Sequence, residues 1–195
     1  MRIVLLGATG FVGHHLLPRL AAAGHDCLAL SRYRMAVRDL SVIPRVEVRQ
    51  TDVYDPEKLV ACLHGADAAI NMVGILNESG RSGKGFHRAH VELVERLIAA
   101  CRAAGVRRLV QVSALNAGKG DSHYLASKGE AEERIRAAGD LDATILQPSV
   151  IFGEGDSFFN RFAALLKLAP VLPLACPGAL MQPVWVGDVA AAITT

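Results

Sequence analysis

The chain has 195 residues, enough for one domain with a sizeable core and the start of a second. Its 21 Lys and Arg against 19 Asp and Glu leave a net charge of +2, so no strong field points to nucleic acid or an anionic membrane. Hydrophobic residues at 51% exclude disorder, and aromatics at 5% speak against a stacking platform for single-stranded nucleic acid.

Strand-like apolar runs alternate with helical stretches along the first 150 residues. Strands are predicted at 2–6, 27–31, 46–50, 68–73, 108–113 and 143–147, and helices at 11–23, 56–63, 87–104 and 124–138. Continuous apolar runs mark strands covered on both faces, and the β-α-β alternation predicts an α/β fold with a doubly wound parallel sheet, a Rossmann fold. Glycines at 24, 105 and 139 fit left-handed helix ends, Asp55 before Pro56 fits an N-cap, and Pro18 inside the first helix predicts a kink. Beyond about residue 148 glycines and prolines cluster and the alternation is lost. This divides the chain into a doubly wound α/β domain at 1–148 and, at 149–195, excursions from the carboxyl edge of the sheet that cover a cleft and start a second lobe. The chain stops a few residues into a helix with Asp188 as its apparent cap. That predicts a truncated lobe, the alternative being a complete chain with a frayed end.

The four cysteines, Cys27, Cys62, Cys101 and Cys176, are widely spaced, and the histidines lack ligand spacing. Reduced thiols in the cytoplasm and no metal site are expected. The apolar run after Arg2 is too short for a signal peptide, and Lys167, Pro170, Pro173 and Pro177 interrupt the one later apolar stretch, so no membrane span is predicted.

Gly7, Gly10 and Gly13 lie between the first strand and first helix. Gly7 permits a tight turn, Gly10 lets the backbone approach a pyrophosphate, and Gly13 lets the helix lie close to the strand. The free N–H groups of the helix start complete an anion site. About 20 residues on, Ser31-Arg32-Tyr33-Arg34 ends the second strand. Arginine there accommodates a 2′-phosphate, so NADP(H) is favoured over NAD(H), a solvated basic loop being the alternative. Tyr124 and Lys128 stand at i and i+4, where phenol and ammonium share one helix face. A cation beside the phenol would bring its pKa of about 10 toward neutrality. Ser113 ends the fifth strand, where its hydroxyl could hold a substrate carbonyl for protonation by Tyr124. Taken alone, Tyr and Lys at this spacing form an ordinary surface pair.

The GxxGxxG spacing together with Ser113, Tyr124 and Lys128 resembles the short-chain dehydrogenase/reductase superfamily, in its extended or atypical branch, over essentially the whole chain. The resemblance implies backbone contacts to the pyrophosphate from Thr9, Phe11 and Val12, an adenine bracketed by Asp52 and Val53, and a ribose over Asn71, Val73 and Gly74. It implies a bond from Lys128 to the nicotinamide ribose and contacts from the loop Pro148-Ser149-Val150 to the carboxamide. It also implies a small-molecule substrate and pairing of the helices at 87–104 and 124–138 in a homodimer. Where many relatives carry an asparagine in the fourth helix this chain has His90, read either as a proton relay or as a structural histidine. Short segments from Val112 to Ala117 and from Ser122 to Glu130 are similar to the atypical subgroup around the 39 kDa nucleotide-binding subunit of respiratory complex I.

Three functions follow. The first is an NADP-dependent oxidoreductase acting on a carbonyl or hydroxyl through Ser113, Tyr124 and Lys128. The second is a non-catalytic NADPH-binding subunit, with the apolar stretch 165–180 as a surface for a partner protein or membrane. The third is a sugar-nucleotide epimerase or dehydratase, disfavoured because only Arg161 and Lys167 could meet a diphosphate in the late segment.

Overall fold

A computed structural model describes residues 1–33, 40–168, 171, 178 and 180–195. Six parallel strands form the main sheet: β1 (Arg2–Leu6), β2 (Asp26–Ser31), β3 (Val46–Gln50), β4 (Ala68–Asn71), β5 (Arg108–Val112) and β6 (Asp142–Leu146), in the order β3-β2-β1-β4-β5-β6. The order reverses between β1 and β4, so a crevice opens there at the carboxyl ends of the strands, where open α/β sheets bind ligands.

Side-chain alternation explains why the strands read as uniformly apolar. On β1, Val4 and Leu6 join one core with Leu28, Leu30 and Ala69, covered by α2 (Pro56–Leu63), α4 (Leu93–Ala104) and α5 (His123–Ala137). Ile3 and Leu5 face the other core with Ala29 and Ile70, covered by α1 (Phe11–Ala22) and α7 (Val186–Thr194). The chain's last helix thus returns to the sheet, and its Val189, Ala190 and Ile193 are buried there.

Helix α1 continues past Pro18 to Ala22. Several local expectations change. Gly139 is not left-handed: α5 ends at Ala138 with φ −86°, whereas Gly24 (φ +83°) and Gly105 (φ +75°) take the left-handed conformation. Asp188 lies in the first turn of α7 and Trp185 holds the N-cap position, with no side-chain cap. The predicted helix at 87–104 is three pieces: α3 (Lys84–His87), a π-helical segment Arg88–Glu92, and α4. Within the late segment, β7 (Ile151–Phe152) pairs with β8 (Val184–Trp185), and α6 (Phe159–Leu168) forms a helix where none was expected. Asp156 anchors that helix by accepting the Phe159 N–H at 2.6 Å.

The tightest joint is between α1 and β1. A Cβ on Gly13 would overlap the Ala8 carbonyl, and one on Gly7 (φ +77°) would sit 2.8 Å from the backbone of Met72 and Val73. Gly13→Ala therefore forces the helix off the strand. The expected loss is about 3 kcal/mol, roughly 6–12 °C in Tm, measured by thermal unfolding against the wild-type chain.

Candidate active site

A cavity of about 880 Å³ opens above the reversal of strand order, and Gly7, Gly10, Phe11 and Val12 form one end of it. Helix α1 begins there with Gly10 as N-cap, no side-chain cap and no acidic residue in its first turn. Its terminal N–H groups are thus left for an anionic ligand. With Gly7 pressed against the backbone just after β4 and Gly13 against Ala8, this end fits a dinucleotide pyrophosphate.

Ser113, Tyr124 and Lys128 line the same cavity, as do Pro148, Ser149, Val150 and Gly74. The loop after β5 carries Ser113, whose Oγ is the one buried side-chain polar atom among the described residues with no hydrogen-bond partner. An unpaired buried hydroxyl costs about 1–3 kcal/mol unless a ligand meets it. Tyr124 and Lys128 lie one helical turn apart on α5. The tyrosine ring sits edge-on to His90 (5.5 Å) and Phe86 (6.0 Å), two aromatic walls that fix its direction. Close approach of α5 to the loop after β5 depends on Gly129, where a Cβ would overlap the Gly118 backbone.

Burial governs the charges. It pushes the Tyr124 phenol above its ordinary value, opposite to the direction expected from a neighbouring ammonium. Lys128, only 4% exposed, is brought down to about 8 by burial, with Glu132 opposing the fall. Its Nζ donates to the Val112 carbonyl at 3.2 Å. His90 falls to about 3 through burial and the nearby Lys128, so the ring is neutral. Its Nε2 accepts the Ile75 N–H at 3.2 Å. Nδ1 therefore carries the proton and bonds Ser127 Oγ at 2.8 Å, and Ser127 donates to the Tyr124 carbonyl. These bonds give His90 a structural role: the ring ties the loop after β4 to α5.

Glu132 is the residue that sequence reasoning missed. It continues the Tyr124–Lys128 face by another i+4 step, and that spacing was the available signal. Only 2% exposed, its carboxylate accepts Gln147 Nε2 at 2.7 and 2.9 Å and Arg136 at 2.6 Å. Burial raises its pKa, but Ser113, Gln147 and Arg136 outweigh burial and hold the carboxyl below its ordinary value. Ser113 is near enough to act on this charge without reaching hydrogen-bond geometry.

Other expected contacts lie off the cavity. Asn71 is buried, its amide joined to Gln111 Oε1 (2.9 Å) and to the Val73 N–H (3.1 Å). Asn71 and Val73 therefore build the wall from behind, while Met72 and Gly74 face inward. Ser31 uses its hydroxyl on the Tyr33 backbone, and Val53 is part of the core. Thr9 belongs to the turn but not to the cavity lining. Arg32 borders a separate shallow cleft with Tyr33, Gln50, Thr51, Asp52 and Lys58, its guanidinium 5.8 Å from the Tyr33 ring centre. Arg34 lies outside the described residues, as does most of the stretch 165–180, Cys176 included. Among the described residues no helix is long and apolar enough to cross a membrane.

Comparison with known proteins agrees with this geometry. Residues 7–158 match a family model described as NAD(P)H-binding. The chain is 34% identical over 195 residues to ceramide reductase of Caulobacter vibrioides, covering 97% of this chain and 58% of that protein. It is 32% identical over 200 residues to NADH dehydrogenase (ubiquinone) 1 alpha subcomplex subunit 9, mitochondrial, of Arabidopsis thaliana, covering 97% of this chain and 48% of that one. The chain thus spans about half the length of these curated relatives. Among solved structures, MoeE5 in complex with UDP-glucose and NAD superposes with a TM-score of 0.84 at 24% identity, over 99% of this chain and 70% of that one, a likeness of fold.

The Lys128–Glu132 relation can be measured directly. In lysine-labelled protein the Lys128 side chain should titrate near 8 by NMR. Glu132→Gln removes the anion that opposes burial, so the same resonance should titrate at lower pH. Arg136→Met, which keeps the carboxylate, should leave it at or above the wild-type value.

Proposed function

The chain belongs to the NAD(P)H-binding family of the short-chain dehydrogenase/reductase superfamily, and on that premise we propose that it is an NADP-preferring oxidoreductase interconverting a ketone and a secondary alcohol. The observation that carries the reading is the unpartnered Ser113 hydroxyl, buried in the same cavity as Tyr124, Lys128 and the glycine turn. A bound nicotinamide would supply the hydride to the carbonyl carbon, or take it from the alcohol carbon. Ser113 donates a hydrogen bond to the carbonyl oxygen and draws charge onto it. Tyr124, held by Phe86 and His90, gives its phenolic proton to that oxygen in reduction and recovers one from the alcohol in oxidation. Burial keeps the Tyr124 phenol protonated at neutral pH, the form that reduction requires. Lys128, cationic at neutral pH with a pKa of about 8, balances the phenolate left behind. The name of the Caulobacter relative, a reductase, supports the same direction.

Arg32 supports NADP, and Lys58 in the same cleft adds a second cation that could reach a 2′-phosphate. Lys58 now pairs with Asp55 at 2.7 Å, an exposed contact that a phosphate could replace. A second reading, a nucleotide-binding subunit without turnover, draws on the raised Tyr124 pKa and on the relative from Arabidopsis.

Calorimetric titration with NADPH and with NADH tests the first point. NADPH should bind at least tenfold more tightly, about 1.4 kcal/mol, and Arg32→Glu should abolish that preference. Tyr124→Phe should bind NADPH as the wild type does, while ketone reduction falls on the order of 10²–10⁴-fold. Equal binding of both nucleotides would sink the Arg32 argument. A Tyr124→Phe variant as active as the wild type would sink the oxidoreductase reading.

A further inference from the structure

Besides the glycine turn and the group Ser113, Tyr124 and Lys128, the cavity has an apolar set of lining residues. Leu76, Leu115, Phe158, Leu180 and Met181 make up this set, coming from the loop after β4, the loop after β5 and both ends of the late segment. Phe158 belongs to an edge-to-face cluster with Phe159 (5.2 Å) and Phe162 (5.0 Å). The other four present apolar side chains to solvent: Leu76 is 68% exposed, Leu115 42% and Met181 54%, and Leu180 is fully exposed. Apolar side chains gathered at the mouth of a cavity gain free energy only when something apolar covers them.

The charges in the cavity point the same way. Lys128 is the only cation among the described lining residues, and it is bonded to the Val112 carbonyl and opposed by Glu132. Asp156 is the only acid among them. Burial raises its pKa, but the backbone N–H groups of Gly153, Phe159 and Asn160 outweigh burial and keep it ionised. A diphosphate seated here would meet a fixed carboxylate and no free cation, and an uncompensated anion in such a site is costly.

From this lining we infer that the cavity takes a ketone or secondary alcohol bearing an unbranched aliphatic chain, with the oxygen at Ser113 and Tyr124 and the chain along Leu76, Leu115, Phe158, Leu180 and Met181. The inference rests on the oxidoreductase reading for the position of the oxygen. The aliphatic arm itself stands on the lining alone.

The test is equilibrium binding of 2-alkanones of four to ten carbons to the chain, with and without NADPH, alongside UDP-glucose. Full burial of a methylene is worth about 0.8 kcal/mol, about fourfold in affinity. In a half-open arm each added carbon should tighten binding at least about twofold. Leu180→Asn with Met181→Gln, both at exposed positions, should flatten that dependence while NADPH binding is unchanged. A flat chain-length series, or UDP-glucose binding more tightly than every alkanone, would overturn the inference. Turnover separates the two readings: chain-length-dependent binding without reduction keeps the arm and rejects the oxidoreductase, and reduction indifferent to chain length does the reverse.

Discussion

A cation taken out of water must be compensated where it stands, and the carboxyl edge of this sheet is organised around one such cation. Lys128 is almost wholly buried beneath the loop after β5, where an unpaired ammonium would cost several kcal/mol. Three elements converge to hold it. The β5 strand supplies the Val112 carbonyl, α5 supplies Glu132 one turn further on, and the end of β6 supplies Gln147 to hold Glu132 in turn. The compensation is partial, since the ammonium still titrates well below its ordinary value. An ammonium kept close to neutrality is one whose charge responds to what enters the cavity beside it.

The two ends of the cavity are built on opposite principles. At the glycine turn the ligand contacts are backbone groups, and side chains are excluded because there is no room for a Cβ. At the other end the lining groups are side chains: Tyr124, aimed by two rings, and Ser113, whose buried hydroxyl has no partner among the described residues. The first lies within the stretch that the NAD(P)H-binding family shares. Side chains at the second are where members of one fold differ.

Much of this was legible in the residues. All six strands of the main sheet were placed to within two residues, because both faces are covered and the apolar signal is unbroken. The turn Gly7–Gly13 and the pair Tyr124–Lys128 carry spacings that have a mechanical reason. What escaped was decided by tertiary contact. Asn71 and Ser31 each bond a nearby backbone group that only the folded loop presents. Gly139 looks like a helix cap, but the helix has already ended at Ala138. Glu132 reads as one more surface charge on α5 until β6 brings Gln147 against it. The π-helical segment Arg88–Glu92 has no composition of its own and reads as continuous α-helix.

That segment has a geometric consequence. A π turn accommodates one residue more than an α turn, so the helix before it and the helix after it are out of phase by about 100°. Leu93, Val94 and Leu97 are buried in the core, while the rings of Phe86 and His90 sit edge-on to Tyr124. One continuous rod thereby serves two partners, the core and the Tyr124 ring. The extra residue works as an angular offset. A chain shortened by one position here would keep its core side chains in register and swing the aromatic pair away from the phenol. The aim of Tyr124 is therefore set by the length of the segment opposite it as much as by any side chain that touches it.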